Sequence, residues 1–372
     1  MKILFVDPHE SSLFSFRKEL VDRLIEEKHE VLLCVESTEK IIKTYSNKVS
    51  KIIDVRLNLK DKGILSNLKL KKRYKQIIKN EKPDLIISYK IKPNIYCGLY
   101  SKNVPMIANI TGLGNLFKKD NLASKIGVFL YKKSFKNVKY VFFQNADGLN
   151  FFKKHKIKVN NYRIVPGSGV NVERFVPLKL NDSTIVNFLF ASRAIKEKGI
   201  DLMLDAIPRV IQQNTNVHFN FLSAEEDILR LDKAKEVFSK YKDYITLLDR
   251  TDNISEVYVA NDFLVSPSFY REGISNVLIE SLACGRPIIT TKDNPGCMEV
   301  LEDGINGLGI LSNDLETLVD AMVKASLMSK SKIAEMGNAG REFVVQNFDR
   351  NIVINNYMDV IGIIEKENIW KY

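Results

Sequence analysis

The sequence predicts an α/β protein built from two doubly wound domains, and three observations lead to this fold class. The chain has 372 residues, more than one ordinary hydrophobic core accommodates. Short apolar runs alternate with helical patterns along both halves, which is typical of parallel βαβ units. Between the halves, residues 165–177 are rich in glycine and proline and predict a linker.

The elements follow one another in the order expected of such domains. In the first half, strands are predicted at residues 2–7, 30–35, 51–55, 84–88, 105–110 and 140–143. A helical pattern runs through residues 14–28. In the second half, strands are predicted at residues 185–191, 217–222, 244–248, 262–266, 287–291 and 307–310. Ligands of doubly wound sheets bind at the carboxyl ends of the strands, so we expect a cleft between facing sheet edges.

Composition and targeting signals indicate a globular protein of the cytoplasm. The chain is 45% hydrophobic and 27% charged, and it has no run of 18 uncharged apolar residues. Residues 1–7 resemble a first strand and not a signal peptide. The four cysteines are scattered, without the spacing of a metal site or a dense disulfide pattern, so we expect reduced thiols.

The two halves carry opposite net charges. Residues 1–180 hold 36 Lys and Arg against 16 Asp and Glu, a net charge of +20, whereas the remainder carries −9. A charge that served only solubility would have no reason to collect in one half. An anionic partner of the first half is therefore expected, and nucleic acid, anionic lipid and a phosphorylated acceptor are the candidates.

A segment of the second half combines features of sugar and phosphate binding. Glu272 and Glu280 lie eight residues apart across a predicted strand end, turn and helix, and the helix is expected at residues 276–284 before Gly285. The N-terminus of a helix favours a phosphate, so carboxylates beside it are better explained as ligands of sugar hydroxyls. A ligand in which a sugar is joined to a phosphate fits both the helix N-terminus and the two carboxylates.

With these motifs the chain resembles the retaining glycosyltransferases of family four, which have the GT-B architecture of two Rossmann-like domains facing each other across a cleft. The resemblance rests on Glu272 and Glu280, Ser192-Arg193 with Lys198-Gly199, residues 165–171, and Glu299 with Gly304 and Gly307. Residues 90–96 and 109–114 resemble the branch that extends lipid-linked sugars in capsule, O-antigen or glycoprotein glycan assembly.

The resemblance implies three domain segments. They are an N-terminal acceptor-binding domain at residues 1–168, a nucleotide-sugar-binding domain at residues 169–350, and a C-terminal helix at residues 351–372 that crosses back to the first domain.

The resemblance also implies a donor site in the second domain. Glu280 would bind the ribose hydroxyls, and Arg193 and Lys198 would hold the diphosphate and act with Glu272 as catalytic residues. The donor sugar and diphosphate would contact Glu272, Gly273, Ile274, Ser275 and Asn276. Without the two glutamates, a strand-end cation for Arg193 and a solvated cation for Lys198 would be equally good interpretations. The donor is expected to be a uridine diphosphate sugar, and without an Asp-x-Asp motif we expect neither a metal nor another cofactor.

The acceptor side is expected in the first domain. Its candidate residues are His9, Ser11, Ser12, Lys92, Thr111 and Gly112. The first loop lacks the Gly-Gly pair of many relatives, and Gly112 fits a simple tight turn equally well.

The basic stretch at residues 118–139 bears on where the acceptor is found. Leu122, Ile126, Phe129 and Leu130 recur there at helical spacing among lysines, which suits a helix at an anionic membrane surface. The alternative is a helix that packs this apolar stripe on the sheet.

The expected function is α-linked transfer of a hexose or N-acetylhexosamine to a lipid-linked saccharide, by an enzyme bound peripherally to the inner face of the cell membrane. Three alternatives remain: a nucleotide-sugar epimerase or hydrolase of the same fold, a non-catalytic protein that binds nucleic acid or membrane, and a silent scaffold. A nucleic-acid partner is not expected, because the basic residues form no recognised nucleic-acid motif.

Overall fold

A computed structural model describes residues 1–55, 63–113, 117, 121–249, 251, 253–270 and 273–369. The chain divides into two compact units. The first unit is Met1–Ser168 together with the segment from Asn351 onward, and the second unit is Gly169–Arg350. Each unit is a parallel sheet with helices on its faces.

The sheet of the first unit has seven parallel strands in the order β3-β2-β1-β4-β5-β6-β7. The strands are β1 (Lys2–Val6), β2 (Glu30–Val35), β3 (Lys51–Asp54), β4 (Leu85–Tyr89), β5 (Met106–Ile110), β6 (Tyr140–Phe143) and β7 (Tyr162–Ile164). The helices between them are α1 (Glu10–Phe16), α2 (Lys18–Glu26), α3 (Glu39–Tyr45), α4 (Ile64–Glu81), α5 (Ile91–Gly98), α6 (Leu122–Ser134) and α7 (Ala146–Lys154).

The sheet of the second unit has six parallel strands in the order β10-β9-β8-β11-β12-β13. The strands are β8 (Val186–Ala191), β9 (Val217–Leu222), β10 (Ile245–Leu248), β11 (Phe263–Ser266), β12 (Ile288–Thr291) and β13 (Gly307–Ile310). The helices of this unit are α8 (Ile200–Gln213), α9 (Glu225–Leu229), α10 (Asp232–Lys240), α11 (Ile254–Val259), α12 (Asn276–Ala283), α13 (Pro295–Met298), α14 (Leu315–Ser326) and α15 (Lys330–Phe348). The last helix of the chain, α16 (Arg350–Ile369), belongs to the first unit from Asn351 onward.

Hydrophobic cores cover both faces of each sheet, as parallel sheets require. In β1, Leu4 belongs to one core and Phe5 to the core on the opposite face. In β8, Phe188 and Leu189 divide in the same way. Because successive side chains of a strand point to opposite faces, continuous apolar runs rather than alternating ones mark these strands in the sequence.

The C-terminal helix α16 packs in the first unit. Val360 and Ile361 are buried in the core that also contains Phe5. The Tyr89 hydroxyl donates to the Tyr357 hydroxyl at 2.8 Å, and the Tyr357 hydroxyl in turn donates to Asn109 Oδ1. The last helix is thus joined to β4 and β5 by a buried chain of hydrogen bonds.

The predicted fold class is confirmed, and the twelve predicted strands are all present with ends within one residue of those expected. The sequence reasoning missed β7, a three-residue edge strand whose side chains are all exposed. The helical pattern predicted at residues 14–28 is confirmed at residues 14–16 and 18–26, but it belongs to two helices instead of one. The backbone leaves the helical region at Arg17 (φ −130°), whose guanidinium lies 4.2 Å from the centroid of the Tyr89 ring, and the helices α1 and α2 flank it.

Within the described ranges, no helix is long and apolar enough to span a bilayer.

Candidate functional site

A cavity of about 610 Å³ opens in the second unit where β8 and β9 end. It is lined by Ala191, Ser192, Arg193, Leu222, Ser223, Ala224, Asp227, Thr251 and Ile254. The carboxyl ends of parallel strands are where doubly wound folds bind ligands. Of the described residues that were predicted to bind the donor, Arg193 is the one that lines this cavity.

Ser223 is a site residue that the sequence reasoning missed. It follows the last residue of β9, is 8% exposed, and its Oγ makes no hydrogen bond within the described part of the chain. A buried hydroxyl without a partner costs free energy, so its position on a cavity wall indicates a ligand that supplies the partner. The sequence held one signal for this residue, because Ser223 comes directly after a predicted strand and ligands bind at strand ends.

Arg193 and Lys198 lie against the same aromatic ring. The Arg193 guanidinium carbon is 5.8 Å from the centroid of the Tyr270 ring, and Lys198 Nζ is 5.2 Å from that centroid. Two cations held beside one ring repel each other, and an anion between them would relieve that repulsion. The structure therefore brings together the two side chains that were predicted to hold a diphosphate.

A close backbone approach sets the position of Lys198. Gly199 has φ +81°, and a Cβ at this residue would lie 2.4 Å from the carbonyl oxygen of Pro267. Next to this contact, the Phe269 amide donates to the Glu197 carbonyl at 3.0 Å. The turn that carries Lys198 is thus fastened to the loop that follows β11.

The loop after β11 also accepts hydrogen bonds from residues at the end of β12 and just before α13. Thr291 Oγ1 and Asn294 Nδ2 both donate to the carbonyl of Ser268 at 2.7 Å. The Ser275 amide donates to the Gly296 carbonyl at 3.1 Å. Among the backbone groups predicted to bind the donor, the Ser275 amide therefore has a protein partner already.

The N-terminal end of α12 contains further polar groups that could bind the donor. Gly273 and Ile274 are buried, and Asn276 is the first residue of the helix. Its Oδ1 is buried and makes no hydrogen bond to a described residue. The first amides of a helix also lack partners inside the helix, so donors and an acceptor meet at this end of α12. Glu272 lies outside the described residues.

Glu280 is half-buried on α12 and accepts a hydrogen bond from the Tyr258 hydroxyl at 2.9 Å. Burial raises the pKa of Glu280 to about 7, against the opposing effects of the Tyr258 hydrogen bond and the charges of Arg350 and Arg174. Tyr258 lies one helical turn after Ile254, which lines the cavity, so Glu280 is close to the cavity wall without being part of it.

A second cavity, of about 250 Å³, belongs to the first unit. Its lining includes four of the six residues predicted on the acceptor side: His9, Lys92, Thr111 and Gly112. Ser11 and Ser12 are not among the lining residues. Ser11 is exposed on α1, and Ser12 is buried with its hydroxyl donated to Asp7 Oδ2 at 2.7 Å.

Two doubly wound units, each with a cavity lined by strand ends, define the class of the protein as GT-B. The whole chain superposes on a sucrose-phosphate synthase from Thermosynechococcus elongatus with a TM-score of 0.81, at 17% identity and covering 98% of this chain and 99% of the other. It also superposes on HepE of Anabaena, solved with UDP-glucose, with a TM-score of 0.76, at 16% identity and covering 97% and 99%.

Residues 2–145 match a family described as glycosyl transferase 4-like, and residues 186–326 match a family described as glycosyl transferases group 1. The chain belongs to the group 1, family four glycosyltransferases. This confirms the predicted family and the general activity.

Two curated relatives are similar over long stretches. One is the N,N'-diacetylbacillosaminyl-diphospho-undecaprenol alpha-1,3-N-acetylgalactosaminyltransferase of Campylobacter jejuni, 25% identical over 98% of this chain and 100% of its own. The other is the capsular polysaccharide biosynthesis glycosyltransferase CapM of Staphylococcus aureus, 22% identical over 61% of this chain and 55% of its own.

Proposed function

We propose that this protein is a retaining glycosyltransferase that moves a hexose or N-acetylhexosamine from a UDP-sugar to a lipid-linked saccharide, forming an α-linkage. The observation that carries the proposal is the cavity at the ends of β8 and β9, with Arg193 at its wall and Lys198 beside the same tyrosine ring. The UDP-glucose held by HepE and the lipid-linked acceptor in the name of the Campylobacter relative favour these substrate classes.

The nucleoside would occupy this cavity. The Ser223 hydroxyl would gain a hydrogen-bond partner there, and Glu280 would accept from the ribose hydroxyls as its ionised carboxylate. The Asn276 Oδ1 atom would accept from a hydroxyl of the donor. We retain Glu272, Gly273 and Ile274 as donor-binding residues on the family resemblance.

The diphosphate would lie between Arg193 and Lys198. When the bond between the sugar and the diphosphate breaks, negative charge grows on the phosphate oxygens, and the two cations stabilise that charge. Each charge-assisted hydrogen bond contributes about 1.5–3 kcal/mol. The acceptor hydroxyl would attack the same face of the sugar, with a donor phosphate oxygen taking its proton, and no metal is required in this scheme.

A thermal-shift and calorimetric panel of nucleotide sugars tests the donor site. We expect one uridine diphosphate sugar to raise the melting temperature of the wild type, and Arg193→Ala and Glu280→Ala to weaken its binding about tenfold or more. Lys324→Ala removes an exposed cation of the same unit and should leave binding unchanged. Equal binding by all four proteins would refute the site.

Product analysis separates the remaining possibilities. Transfer to a lipid-linked saccharide with an α-linkage is the expected result. Release of free sugar or a changed donor sugar would indicate a hydrolase or an epimerase. Salt-dependent DNA binding without nucleotide-sugar binding would favour the nucleic-acid alternative.

A lipid-linked acceptor, as proposed here, favours a position of the enzyme at a membrane, and the exposed surface of α6 supports this. This helix buries Ser124, Gly127 and Tyr131 against the unit, and three of its large apolar side chains are exposed. Leu122 is 74% exposed, Ile126 50% and Phe129 62%. Exposed lysines lie around them, at positions 125, 132, 133 and 136. An ordinary surface helix turns its large apolar side chains to the core and charged ones to solvent, so three exposed apolar side chains on one helix call for a partner.

We therefore propose that α6 rests on an anionic lipid surface, with its apolar face in the headgroup boundary and its lysines near lipid phosphates. Leu130 is only partly exposed and packs against the core, so it is not part of this face. Residues 118–120, which the sequence reasoning placed in the same basic stretch, lie outside the described residues.

Cosedimentation with vesicles tests this surface. Phe129→Gln with Ile126→Gln should lower binding to vesicles containing phosphatidylglycerol about tenfold or more, since each fully buried side chain contributes about 1.5–3 kcal/mol. Leu327→Gln is the matched control, because Leu327 is 71% exposed on the acidic half. Unchanged binding of the double variant would refute the proposal.

A further inference from the structure

The cavity of the first unit contains a half-buried cation that the sequence reasoning did not single out. Lys90 lies between β4 and α5, has φ +74°, and lines the cavity with Lys92 and His9. Burial lowers the pKa of Lys90, which is the mark of an ammonium that has lost water. Across the described ranges, no hydrogen bond or ion pair within 4.0 Å replaces that water.

The buried carboxylate that acts on Lys90, that of Asp7, also faces another cation. Asp7 is fully buried and raises the pKa of Lys90, while the positive charge of Arg17 lowers it. The Asp7 carboxylate accepts the Ser12 hydroxyl and faces Arg17 Nε at 4.0 Å. Arg17 itself is 5% exposed. One buried carboxylate thus serves two buried or half-buried cations, and a net positive charge remains.

Among the residues that the structure describes, the cavity wall adds positive charge and no compensating negative charge. Lys92 lies on it beside Lys90, and no Asp or Glu is found among these lining residues. A half-buried ammonium is stabilised only by an ion partner or by water, and apolar lining residues such as Ile91 and Pro93 supply neither. An anionic ligand completes the electrostatics of this cavity.

We propose that the cavity binds a phosphate of the lipid-linked acceptor and that Lys90 is the side chain that pairs with it, assisted by Lys92. The inference rests on the proposed function. A lipid source is favoured because α6 carries both Tyr131, which lines the cavity, and Phe129, which is on the proposed lipid-facing side of the same helix. The cavity and that surface are therefore two sides of one helix.

Steady-state kinetics with two acceptors tests the assignment. The first acceptor is the saccharide on a short prenyl diphosphate, and the second is the octyl glycoside of the same saccharide, which has no phosphate. Lys90→Met should raise the KM of the first acceptor about tenfold or more and leave the KM of the second and of the donor unchanged. Lys90→Arg keeps the charge and should retain most of the affinity.

Lys82→Met is the matched control. Lys82 is also a lysine of the first unit with positive φ, at +47°, but it is exposed and does not line the cavity. Substitution there reproduces the change of backbone strain without removing a cavity charge, so all kinetic constants should stay at wild-type values. Circular dichroism confirms folding of each variant.

A direct binding experiment tests the phosphate site independently of the proposed transferase activity. Inorganic pyrophosphate is titrated calorimetrically into protein saturated with UDP, so that the donor site is filled. Binding by wild type and Lys82→Met but not by Lys90→Met supports the site. If UDP does not bind, the proposed function fails, and the same titration without UDP, with Arg193→Ala added, still tests the cavity.

Three results would overturn the inference. They are pyrophosphate binding that survives Lys90→Met, an equal rise of KM for both acceptors, and a selective rise of the donor KM, which would assign Lys90 to the donor diphosphate.

Discussion

Substitution of Gly199 tests how the position of Lys198 is held. Gly199→Ala places a methyl group 2.4 Å from the carbonyl oxygen of Pro267, and the side chain of Pro267 lies 2.7 Å away. Real Cβ atoms do not approach backbone oxygens so closely, so the turn or the loop after β11 must move. Because the Glu197 carbonyl accepts from the Phe269 amide in the same contact, the movement separates Lys198 from Tyr270.

Gly304→Ala is a control that separates the steric contact with Pro267 from the cost of the left-handed backbone. Gly304 also has φ +81°, but a Cβ there would meet no atom within 4 Å. A left-handed conformation costs a residue with a Cβ roughly 1–2 kcal/mol, and that is the whole expected cost of Gly304→Ala. Gly199→Ala adds an overpacking cost of roughly 1–3 kcal/mol, for a total of about 2–5 kcal/mol.

Urea unfolding followed by circular dichroism measures the free energy of unfolding of both variants, and calorimetry measures their affinity for UDP. Gly199→Ala should be the less stable variant and should bind UDP more weakly, whereas Gly304→Ala should bind it like the wild type. Equal losses of stability in the two variants would show that the contact with Pro267 relaxes at no cost. Unchanged UDP affinity in Gly199→Ala would refute the role given to this turn.

Two further predictions concern buried polar groups. Burial raises the pKa of Glu280 from an ordinary 4.5 to about 7 in the folded protein, so the contribution of this residue to stability is present below pH 4.5 and lost as pH rises through 7. Wild type should therefore lose about 3 kcal/mol relative to Glu280→Gln between these pH values in urea titrations, and a pH-independent difference would contradict this. Tyr357→Phe leaves the Tyr89 hydroxyl and Asn109 Oδ1 without their hydrogen-bond partner and should lower the free energy of unfolding by about 1–3 kcal/mol, measured as faster amide exchange in α16. The control is Tyr162→Phe, at an exposed residue, which should not change the stability measurably.

The sequence by itself determined the two-unit α/β class, because continuous apolar runs and the breakers between them are local properties of the chain. The strand positions follow from the same pattern. The exception is β7, which was not predicted because its three exposed residues do not form a buried apolar run. The family motifs pointed to Arg193 and Lys198 before any distance between them was known.

Tertiary structure decided what depends on neighbours distant in sequence. The exposed Phe129 and the partly buried Leu130 share one helical pattern, and only packing shows which of them faces solvent. The missing partners of Ser223 and Lys90 are likewise properties of the space around them. Burial and hydrogen bonding arise from contacts between strand ends and loops far apart in the chain, and no local pattern encodes them.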